Sequence, residues 1–321
     1  MITVQVHPDG TGFQTGLSLD RISDVLDDKG AVLWVDIVDP TEDEVRLIGE
    51  EFGFHPLAME DATQRHQRPK VDVYDGFLFI VFFALELGDG RPQARELALF
   101  AGKNYLVTVH AGPLPAIAET AQRWREHAAQ RRDRGVGLLV ASLLDAIVDG
   151  YFPVVDAISE RVDGLEGKIF AHVDRGAQEE IFVLKKDLLA VRHVVAPERD
   201  VMNVFVRPES PLFGAETVDS FEDVSDHILR VTDTIDTYRD LLSGCLNAFL
   251  AVAANRLDQT VKTLTASAII LTSMTLIAGV YGMNFVHLPE LNWRLGYAWA
   301  LGLMAAVGGG FLLTFRRMDW L

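Results

Sequence analysis

The sequence contains a single cysteine, Cys245, which excludes a disulfide framework and a thiolate metal cluster. Its histidines are scattered, and no pair has the spacing of a metalloprotease site. A glycine-rich phosphate loop, a dinucleotide fingerprint and a serine elbow are also lacking. We therefore expect a protein that is not an enzyme and that binds no nucleotide.

Charged residues are absent from two long stretches, 263–289 and 295–315. Each stretch reaches the roughly 20 apolar residues that cross about 30 Å of hydrocarbon as an α-helix. The two stretches predict a pair of transmembrane helices. Proline is also absent from Glu216 to Leu288. A single helix of some 60 residues, on the order of 90 Å long, could therefore run from a soluble domain into the membrane.

Basic residues are scarce outside these stretches. The net charge is −17, and residues 263–321 contribute +1 to it, which leaves −18 on residues 1–262. Such a negative field repels nucleic acid and concentrates cations. We therefore expect no nucleic-acid partner. Ordinary solubility and attraction of cations both remain open as reasons for the acidic charge.

The start of the sequence lacks the basic flank and apolar core of a signal peptide. Lys262 precedes the first predicted span, and Arg316 and Arg317 follow the second. The stretch between the spans has one basic residue, Arg294. By the positive-inside rule we expect both termini in the cytoplasm. The protein is then a multi-pass protein of the plasma (inner) membrane, in contact with membrane lipid.

The first 110 residues alternate β-rich apolar runs with turn residues, which predicts an α/β domain. Two short helices are predicted between the first two runs, and the first begins at a capping box made by Thr41 and Glu44. The apolar runs cover residues 31–38, 77–85, 96–102 and 104–110.

From about residue 114 onward, apolar residues recur at three- and four-residue spacing, which predicts long helices. Pro153 and Pro197 are expected to bend these helices or to mark their ends. The predicted fold is an α/β cytoplasmic domain followed by long α-helices and a two-helix transmembrane hairpin. The predicted segments are an α/β domain (1–135), a long helical pair (136–215), a stalk helix (216–262), a first transmembrane helix (263–284), an external loop (285–294), a second transmembrane helix (295–315) and a basic tail (316–321).

One face of the predicted stalk and first span, called the seam below, carries mostly small and hydroxyl side chains at alternating three- and four-residue steps. Such a face allows close helix packing, and it also suits the lining of a water-filled pore. Asp258 at one end and Asn284 beyond the other favour a path for cations. Because two spans cannot enclose a pore, this interpretation requires an oligomer. The seam consists of Asp258, Val261, Thr265, Ala268, Thr272, Thr275 and Gly279.

The stalk also repeats acidic residues in a seven-residue pattern, which is typical of a solvated helix face. Carboxylate oxygens and water together suit magnesium, which keeps much of its hydration shell. A magnesium site at contacts between subunits is therefore the second interpretation. The acidic residues are Asp219, Asp223, Asp226, Asp233 and Asp240.

The segment YGMNF, Tyr281 to Phe285, is followed by LPEL and by a second span that ends in RRMDWL. This arrangement resembles the signature of the CorA-type magnesium and cobalt transporter family. The resemblance covers most of the sequence and is weakest in the first 30 residues. It implies a funnel-shaped homopentamer in which the first span lines the pore and the second lies outside it. It also implies that Gly282, Met283 and Asn284 form the outer entrance, where the Asn284 amide hydrogen-bonds to water on a hydrated cation.

The resemblance further implies a gate and a regulatory cation site between subunits. The gate corresponds to Val261 and Leu264, followed by Thr272. The regulatory site corresponds to Asp61 and Asp223, with Glu60 and Asp145 nearby.

Three features depart from the family pattern. Val286 replaces an acidic residue, which leaves Glu290 to supply negative charge in the external loop. Asp258 replaces an asparagine at the cytoplasmic end of the pore and would bind a cation more strongly. The triplet Gly308-Gly309-Gly310 makes the second span flexible.

Residues and resemblance together predict a channel-type transporter for Mg²⁺, with Co²⁺ and Ni²⁺ as further ions. Influx is driven by the membrane potential, and cytoplasmic Mg²⁺ acts as the regulatory ion. Two alternatives remain open at this point. The protein could move zinc or another transition metal, or it could be a membrane-anchored cation sensor that does not conduct.

Overall fold

The computed structural model describes residues 1–7, 14–16, 22–28, 30–64, 67–126, 135–171, 175–207, 213–284 and 293–321. The chain divides into two compact units. The first unit comprises Met1–Gly167 and Gly176–Gly244, and the second comprises Lys168–Arg175 and Cys245–Leu321.

Seven strands of the first unit form one mixed sheet in the order β2-β1-β3-β7-β6-β5-β4. β3 and β7 are parallel, from the pair Leu33 and Tyr105 to the pair Val38 and His110. The other neighbouring strands are antiparallel. The strands are β1 (Ile2–His7), β2 (Gln14–Thr15), β3 (Val32–Val38), β4 (Lys70–Tyr74), β5 (Phe77–Gly88), β6 (Arg91–Ala101) and β7 (Tyr105–His110).

All four predicted β-rich runs are strands, namely β3, β5, β6 and β7. These strands lie inside the sheet, and each buries a continuous run of side chains, which is why their apolar signal is strong. The sequence prediction misses β1, β2 and β4. β2 has two residues, and β4 (KVDVY) is an edge strand without a fully buried residue. β1 (ITVQVH) places polar side chains between its apolar ones, so no continuous run marks it.

One face of the sheet packs against α1 (Ile22–Leu26), α2 (Glu42–Phe52) and α3 (Pro56–Gln64). α2 begins at the predicted capping box. The Glu44 N–H donates to Thr41 Oγ1 at 3.3 Å, and the Thr41 N–H donates to Glu44 Oε2 at 2.9 Å. On the other face, α5 (Val136–Asp149) contacts β5 and β7 and also packs on α4 (Pro115–Glu126). The sheet is therefore the middle of three layers.

The first part of the helical pair predicted over residues 136–215 is divided into α5 and α6 (Tyr151–Ala171). The division falls at Gly150. Pro153 lies in the first turn of α6, where its missing N–H would have had no helical partner. α7 (Arg175–Phe205) contains Pro197 in its interior and continues past it. Pro153 therefore lies near a helix start as predicted, whereas Pro197 does not end its helix.

A buried hydrogen-bonded group joins α6 and α7 to the sheet. β4 pairs with β5 as far as Val81. Two residues further along, the Phe83 N–H donates to Glu198 Oε1 at 3.0 Å. The Tyr151 hydroxyl oxygen lies 2.8 Å from Glu198 Oε2, within hydrogen-bond distance, and it also lies against the Phe83 carbonyl oxygen. The side chains of Tyr151 and Glu198 thus satisfy backbone groups on β5 beyond the end of β4.

Burial raises the pKa of Glu198 well above its ordinary value, although the hydrogen bonds from Phe83 and Tyr151 oppose the effect. Burial likewise raises the pKa of Tyr151, and the neighbouring Glu198 carboxyl adds to that shift. With one proton on Glu198, the group can donate from Glu198 to Tyr151 and from Tyr151 to Phe83. We therefore assign a neutral carboxyl to Glu198 in the folded chain.

Three helical stretches are long and apolar enough to cross a membrane: Val136–Leu165, Val218–Tyr281 and Gly296–Arg317. They differ in burial. The apolar window of the first is 61% buried, against 6% and 17% for the other two. The first stretch is α5 with most of α6, so its apolar side chains form soluble core. Membrane-length apolar surface remains exposed on α8 (Val218–Tyr281) and α9 (Gly296–Arg317).

α8 is a single helix of 64 residues, which at about 1.5 Å per residue is about 96 Å long. In the second unit it packs on α9 where Gly308 faces Met274. A Cβ on Gly308 would lie 2.4 Å from Met274 Cε, so glycine permits this approach. A Cβ on Gly309 or on Gly310 would meet only open space. Close packing therefore explains one glycine of the triplet.

Candidate ion pathway and regulatory cation site

The seam lies along the exposed side of the second half of α8. All seven of its residues are exposed in the single chain. The side of α8 that packs on α9 is different: Ala266 is fully buried, and Met274 contacts Gly308. Exposed positions beside the seam carry large apolar side chains such as Leu271 and Leu276. The seam is therefore a face of small and hydroxyl side chains that α9 leaves uncovered.

Threonine within the seam offers oxygen acceptors. The Thr275 hydroxyl donates to the Leu271 carbonyl oxygen of the same helix at 2.8 Å. Its proton is used within the helix, so the exposed part of the hydroxyl is the oxygen with its lone pairs. Oxygen acceptors are the ligands that hard divalent cations and their water shells require. The seam can therefore line a path for a hydrated cation.

α8 ends at Tyr281, three residues before the predicted end of the first span. The Gly282 N–H still donates to Ala278 O at 2.9 Å, and the Met283 N–H donates to Val280 O at 3.3 Å. A Cβ on Gly282 would lie 3.1 Å from Ala278 O, so glycine suits this tight turn. Asn284 follows the turn and is exposed. It therefore lies just past the helix rather than in its last turn.

Residues 285–292 of the predicted external loop lie outside the described residues, and these include Val286 and Glu290. At the other end of the seam, Asp258 Oδ2 lies 2.6 Å from Lys262 Nζ, one helical turn away. The two side chains are 60% and 39% exposed. An exposed pair of this kind contributes about 0.3–0.5 kcal/mol. Asp258 is thus partly neutralised, and a passing divalent cation can compete with Lys262 for it.

The gate residues implied by the resemblance lie next to this ion pair. Val261 is 51% exposed and Leu264 is 69% exposed. Both are apolar and uncovered in the single chain. Leu264 is one residue before the seam position Thr265. A ring of such side chains from several copies would form an apolar constriction.

Asp61, on α3, is held by residues of its own chain. Its Oδ2 lies 2.7 Å from Lys70 Nζ, and the Gln67 amide donates to its Oδ1 at 3.1 Å. Lys70 also lies 2.7 Å from Asp72 Oδ2. Burial works to lower the pKa of Lys70, but the hydrogen bonds and charges of Asp61 and Asp72 outweigh it and leave this pKa raised. Lys70 is therefore a fixed positive charge beside Asp61. Glu60, one residue earlier, accepts from the Gln64 amide at 2.8 Å.

A second group of ionisable side chains contains Asp145 and extends the predicted set. Asp145 and Asp149 lie one turn apart on α5, and His227 reaches them from α8. His227 Nδ1 is 3.8 Å from Asp145 Oδ1 and 3.8 Å from Asp149 Oδ1. One ligand atom from each residue lies within 4.8 Å of the others, which fits a single metal ion. We call this group the α5/α8 cluster.

The α5/α8 cluster includes a carboxyl that is harder to ionise than usual. Burial raises the pKa of Asp145, followed by the Asp149 carboxylate. Arg123 and His227 oppose this shift, and the charge of Asp223 adds to it. Asp223 therefore acts on Asp145 electrostatically within the same chain. A divalent cation would relieve this repulsion.

The structure brings Asp145 near Asp223, but it gives Asp61 different partners. It also supplies three residues that the sequence interpretation omits: Asp149, His227 and Lys70. Asp149 is four residues after Asp145, and His227 is four residues after Asp223. Because residues four apart share a helix face, this spacing was an available signal. Lys70 had no local signal, since it reaches Asp61 from a different element.

A soluble α/β unit and two apolar membrane-length helices, one with an uncovered oxygen-rich face, define a membrane protein of the ion-transport class. The family model described as CorA-like Mg²⁺ transporter protein matches residues 29–317. The chain therefore belongs to this family.

Two transport proteins match about nine-tenths of the chain or more. The cobalt/magnesium transport protein CorA of Thermotoga maritima is 32% identical over 297 residues, 92% of this chain and 85% of the relative. The cobalt/magnesium transport protein CorA of Methanocaldococcus jannaschii is 26% identical over 295 residues, 90% of this chain and 92% of the relative.

A solved structure shows the same fold. The complete structure of the CorA magnesium transporter from Methanocaldococcus jannaschii matches with a TM-score of 0.85 at 24% identity. The match covers 99% of this chain and 98% of that chain. The predicted α/β domain, long helices and apolar helices at the end of the sequence are thereby confirmed.

Proposed function

We propose that the chain forms a channel-type transporter for Mg²⁺, and that Co²⁺ and Ni²⁺ also pass. Membership of the CorA-like family places the chain among transport proteins rather than enzymes. The observation that carries the proposal is the uncovered seam of small and hydroxyl side chains on a membrane-length helix. In lipid alone such a face gains little, whereas around a water-filled axis its oxygens accept hydrogen bonds from the water shell of the ion.

The oligomer is a homopentamer of the plasma (inner) membrane with both termini in the cytoplasm. In this arrangement five copies of α8 surround the axis, and α9 contacts lipid on the outside. The positive-inside distribution of Lys262, Arg316 and Arg317 supports the orientation. Each elementary charge gains about 2.3 kcal/mol per 100 mV, so a divalent ion gains about twice that on entry without ATP.

Closure follows from Mg²⁺ binding between subunits. Asp223 and the α5/α8 cluster of one copy supply ligands, and Asp61 of the neighbouring copy completes the site. Loss of cytoplasmic Mg²⁺ leaves several carboxylates close together, so they repel and separate the subunits. Asp223 and the gate residues Val261 and Leu264 belong to the same helix, α8, which supplies a physical link between site and gate.

Uptake into liposomes tests this function directly. We expect purified protein to admit Mg²⁺ to an internal fluorescent indicator at a rate that rises with an inside-negative potential and falls when internal Mg²⁺ is raised. Competition with Co²⁺, Ni²⁺ and Zn²⁺ ranks the ions. Zinc entry without magnesium entry would favour the transition-metal alternative. Cation binding without entry of any ion would favour a sensor.

Replacing Lys70 with methionine is expected to make the channel close at a lower Mg²⁺ concentration. The change removes a cation that competes for Asp61 at 2.7 Å. A partly exposed ion pair contributes roughly 0.2–1 kcal/mol, so the half-closing concentration should fall by a factor of about 1.4 to five. Arg46→Met is the matched control, because Arg46 also pairs with an acidic residue, Asp43, but on α2. An unchanged half-closing concentration in Lys70→Met would remove Asp61 from the regulatory site.

A further inference from the structure

The residues after α9 fold back onto that helix in a Schellman motif. Asp319 has a φ of 54°, in the left-handed region. Its N–H donates to Arg316 O at 3.4 Å, and the Trp320 N–H donates to Phe315 O at 2.9 Å. The rings of Phe315 and Trp320 are stacked, with centroids 5.5 Å apart and planes 11° apart. Two such hydrogen bonds with an apolar contact between the same end residues form a stable helix terminus.

This motif presents the Trp320 carbonyl group to α8. Thr263 Oγ1 donates to Trp320 O at 3.1 Å, between residues 57 apart in sequence. Neighbouring hydroxyls behave differently, because Thr260 and Ser267 donate to carbonyl oxygens of α8 itself. Among the hydroxyl hydrogen bonds described along residues 260–275, that of Thr263 is the one that leaves the helix.

Thr263 lies between the two proposed gate residues in sequence. Val261 and Leu264 are three residues apart and share a helix face, whereas Thr263 lies roughly 130° around the helix from the middle of that face. The hydrogen bond between Thr263 and Trp320 therefore holds α8 on a side away from the gate side chains. Rotation of α8 that turned Val261 and Leu264 away from the axis would have to break the bond or move Trp320 with it.

We propose that Thr263 and Trp320 are positioning residues that fix the rotation of α8 at the gate. The Schellman motif fixes the Trp320 carbonyl, the Thr263 hydroxyl binds it, and the gate side chains are thereby held in the closed orientation. The proposal rests on the proposed function, because it concerns the gate of that channel. Neither residue belongs to the seam or to the α5/α8 cluster.

The test compares Thr263→Val with two matched variants, Thr260→Val and Ser267→Ala, in full-length protein in liposomes. Thr263→Val removes the hydroxyl while keeping the shape. We expect it to raise Mg²⁺ uptake under closing conditions about two- to ten-fold, the effect of losing one hydrogen bond. Uptake under opening conditions should stay unchanged. Thr260→Val and Ser267→Ala should close like the wild type, because their hydroxyls bond within the helix.

Variants of the Schellman motif distinguish loss of the positioning contact from a general disturbance of the helix end. Trp320→Ala should leak like Thr263→Val, whereas Trp320→Phe keeps an aromatic ring against Phe315 and should restore most of the closure. Asp319→Gly should close normally, because glycine adopts a positive φ readily. Equal leakage in Thr260→Val and Thr263→Val would overturn the proposal.

Amide hydrogen exchange gives a readout that is independent of transport. Thr263→Val should speed exchange in α8 around residues 260–267 relative to Thr260→Val, on samples with equal oligomer size. Unchanged exchange would overturn the positioning role even if the channel conducts. If exchange changes but no variant or wild type transports Mg²⁺, the proposed function fails and the contact between Thr263 and Trp320 stands as a structural tie.

Discussion

Replacing Asn284 with alanine is expected to reduce Mg²⁺ uptake into liposomes to the background of empty vesicles. Asn284 is exposed just past the end of α8, where its amide can meet a hydrated ion before the ion enters the seam. If five copies each contribute about 1 kcal/mol of net hydrogen bonding, the lost ring weakens ion capture by several thousand-fold, on the order of 4,000-fold. Magnesium holds its water tightly, so recognition through the water shell avoids a slow dehydration step at entry.

The control for this prediction is Asn203→Ala, which removes an exposed asparagine amide from α7. That variant should transport like the wild type. Asn284→Gln keeps an amide one methylene further out and should retain part of the rate. Uptake in Asn284→Ala equal to that of Asn203→Ala would show that the amide does not form the entrance.

Replacing Glu198 with alanine is expected to lower thermal stability more than any surface change in the first unit. The side chain is fully buried, and its loss leaves the Phe83 N–H without a partner and the Tyr151 hydroxyl with the Phe83 carbonyl oxygen alone. A cavity, a stranded N–H and a lost hydrogen bond together cost about 3 kcal/mol or more. The unfolding midpoint should fall by about 6–12 °C. Thermal denaturation of the detergent-solubilised protein measures the shift, and Glu179→Ala, an exposed change on the same helix, is the control.

Glu198→Gln tests the neutral state of the carboxyl. The pKa of Glu198 is raised in the folded chain. Its contribution to the free energy of unfolding is therefore fully present below the ordinary pKa of 4.5, and this contribution is lost as the pH rises through the folded pKa. Glutamine is neutral at every pH and can donate to Tyr151. The Glu198→Gln variant should therefore gain stability relative to the wild type as the pH rises above about 4.5. A gain on going toward lower pH instead would show that the carboxyl is ionised when folded.

The parts of the fold that could be predicted from sequence are those with a local signal. β3, β5, β6 and β7 are inner strands whose apolar runs are continuous, and the α2 capping box needs only two residues three apart. β4 and β1 could not be predicted, because an edge strand and a half-polar strand are recognisable only through their neighbours. The break between α5 and α6 is a similar case. The prediction used the nearby Pro153 as the marker of a bend or a helix end, whereas the break lies at Gly150.

The candidate sites divide in the same way. The spacing of the seam and the position of Asn284 after an uncharged run are local features of the sequence. The family resemblance implies a pore-lining role for the first span and an entrance role for Asn284. The ion pairs differ. Lys262 lies four residues after Asp258, so that pair could be predicted along one helix, whereas Lys70 reaches Asp61 from β4. The partner of Asp61 was therefore decided by the fold.

By itself, the sequence determined that this is an acidic α/β protein with two apolar spans and a hydroxyl-bearing helix face, because charge, hydropathy and helical spacing are properties of neighbouring residues. Tertiary structure alone decided that α5 and α6 form soluble core rather than a membrane span, and that α9 leaves the seam uncovered. It also decided that His227 joins Asp145 and Asp149, and that Thr263 binds Trp320. Each of these depends on which distant segments touch, and a linear pattern carries no information on that.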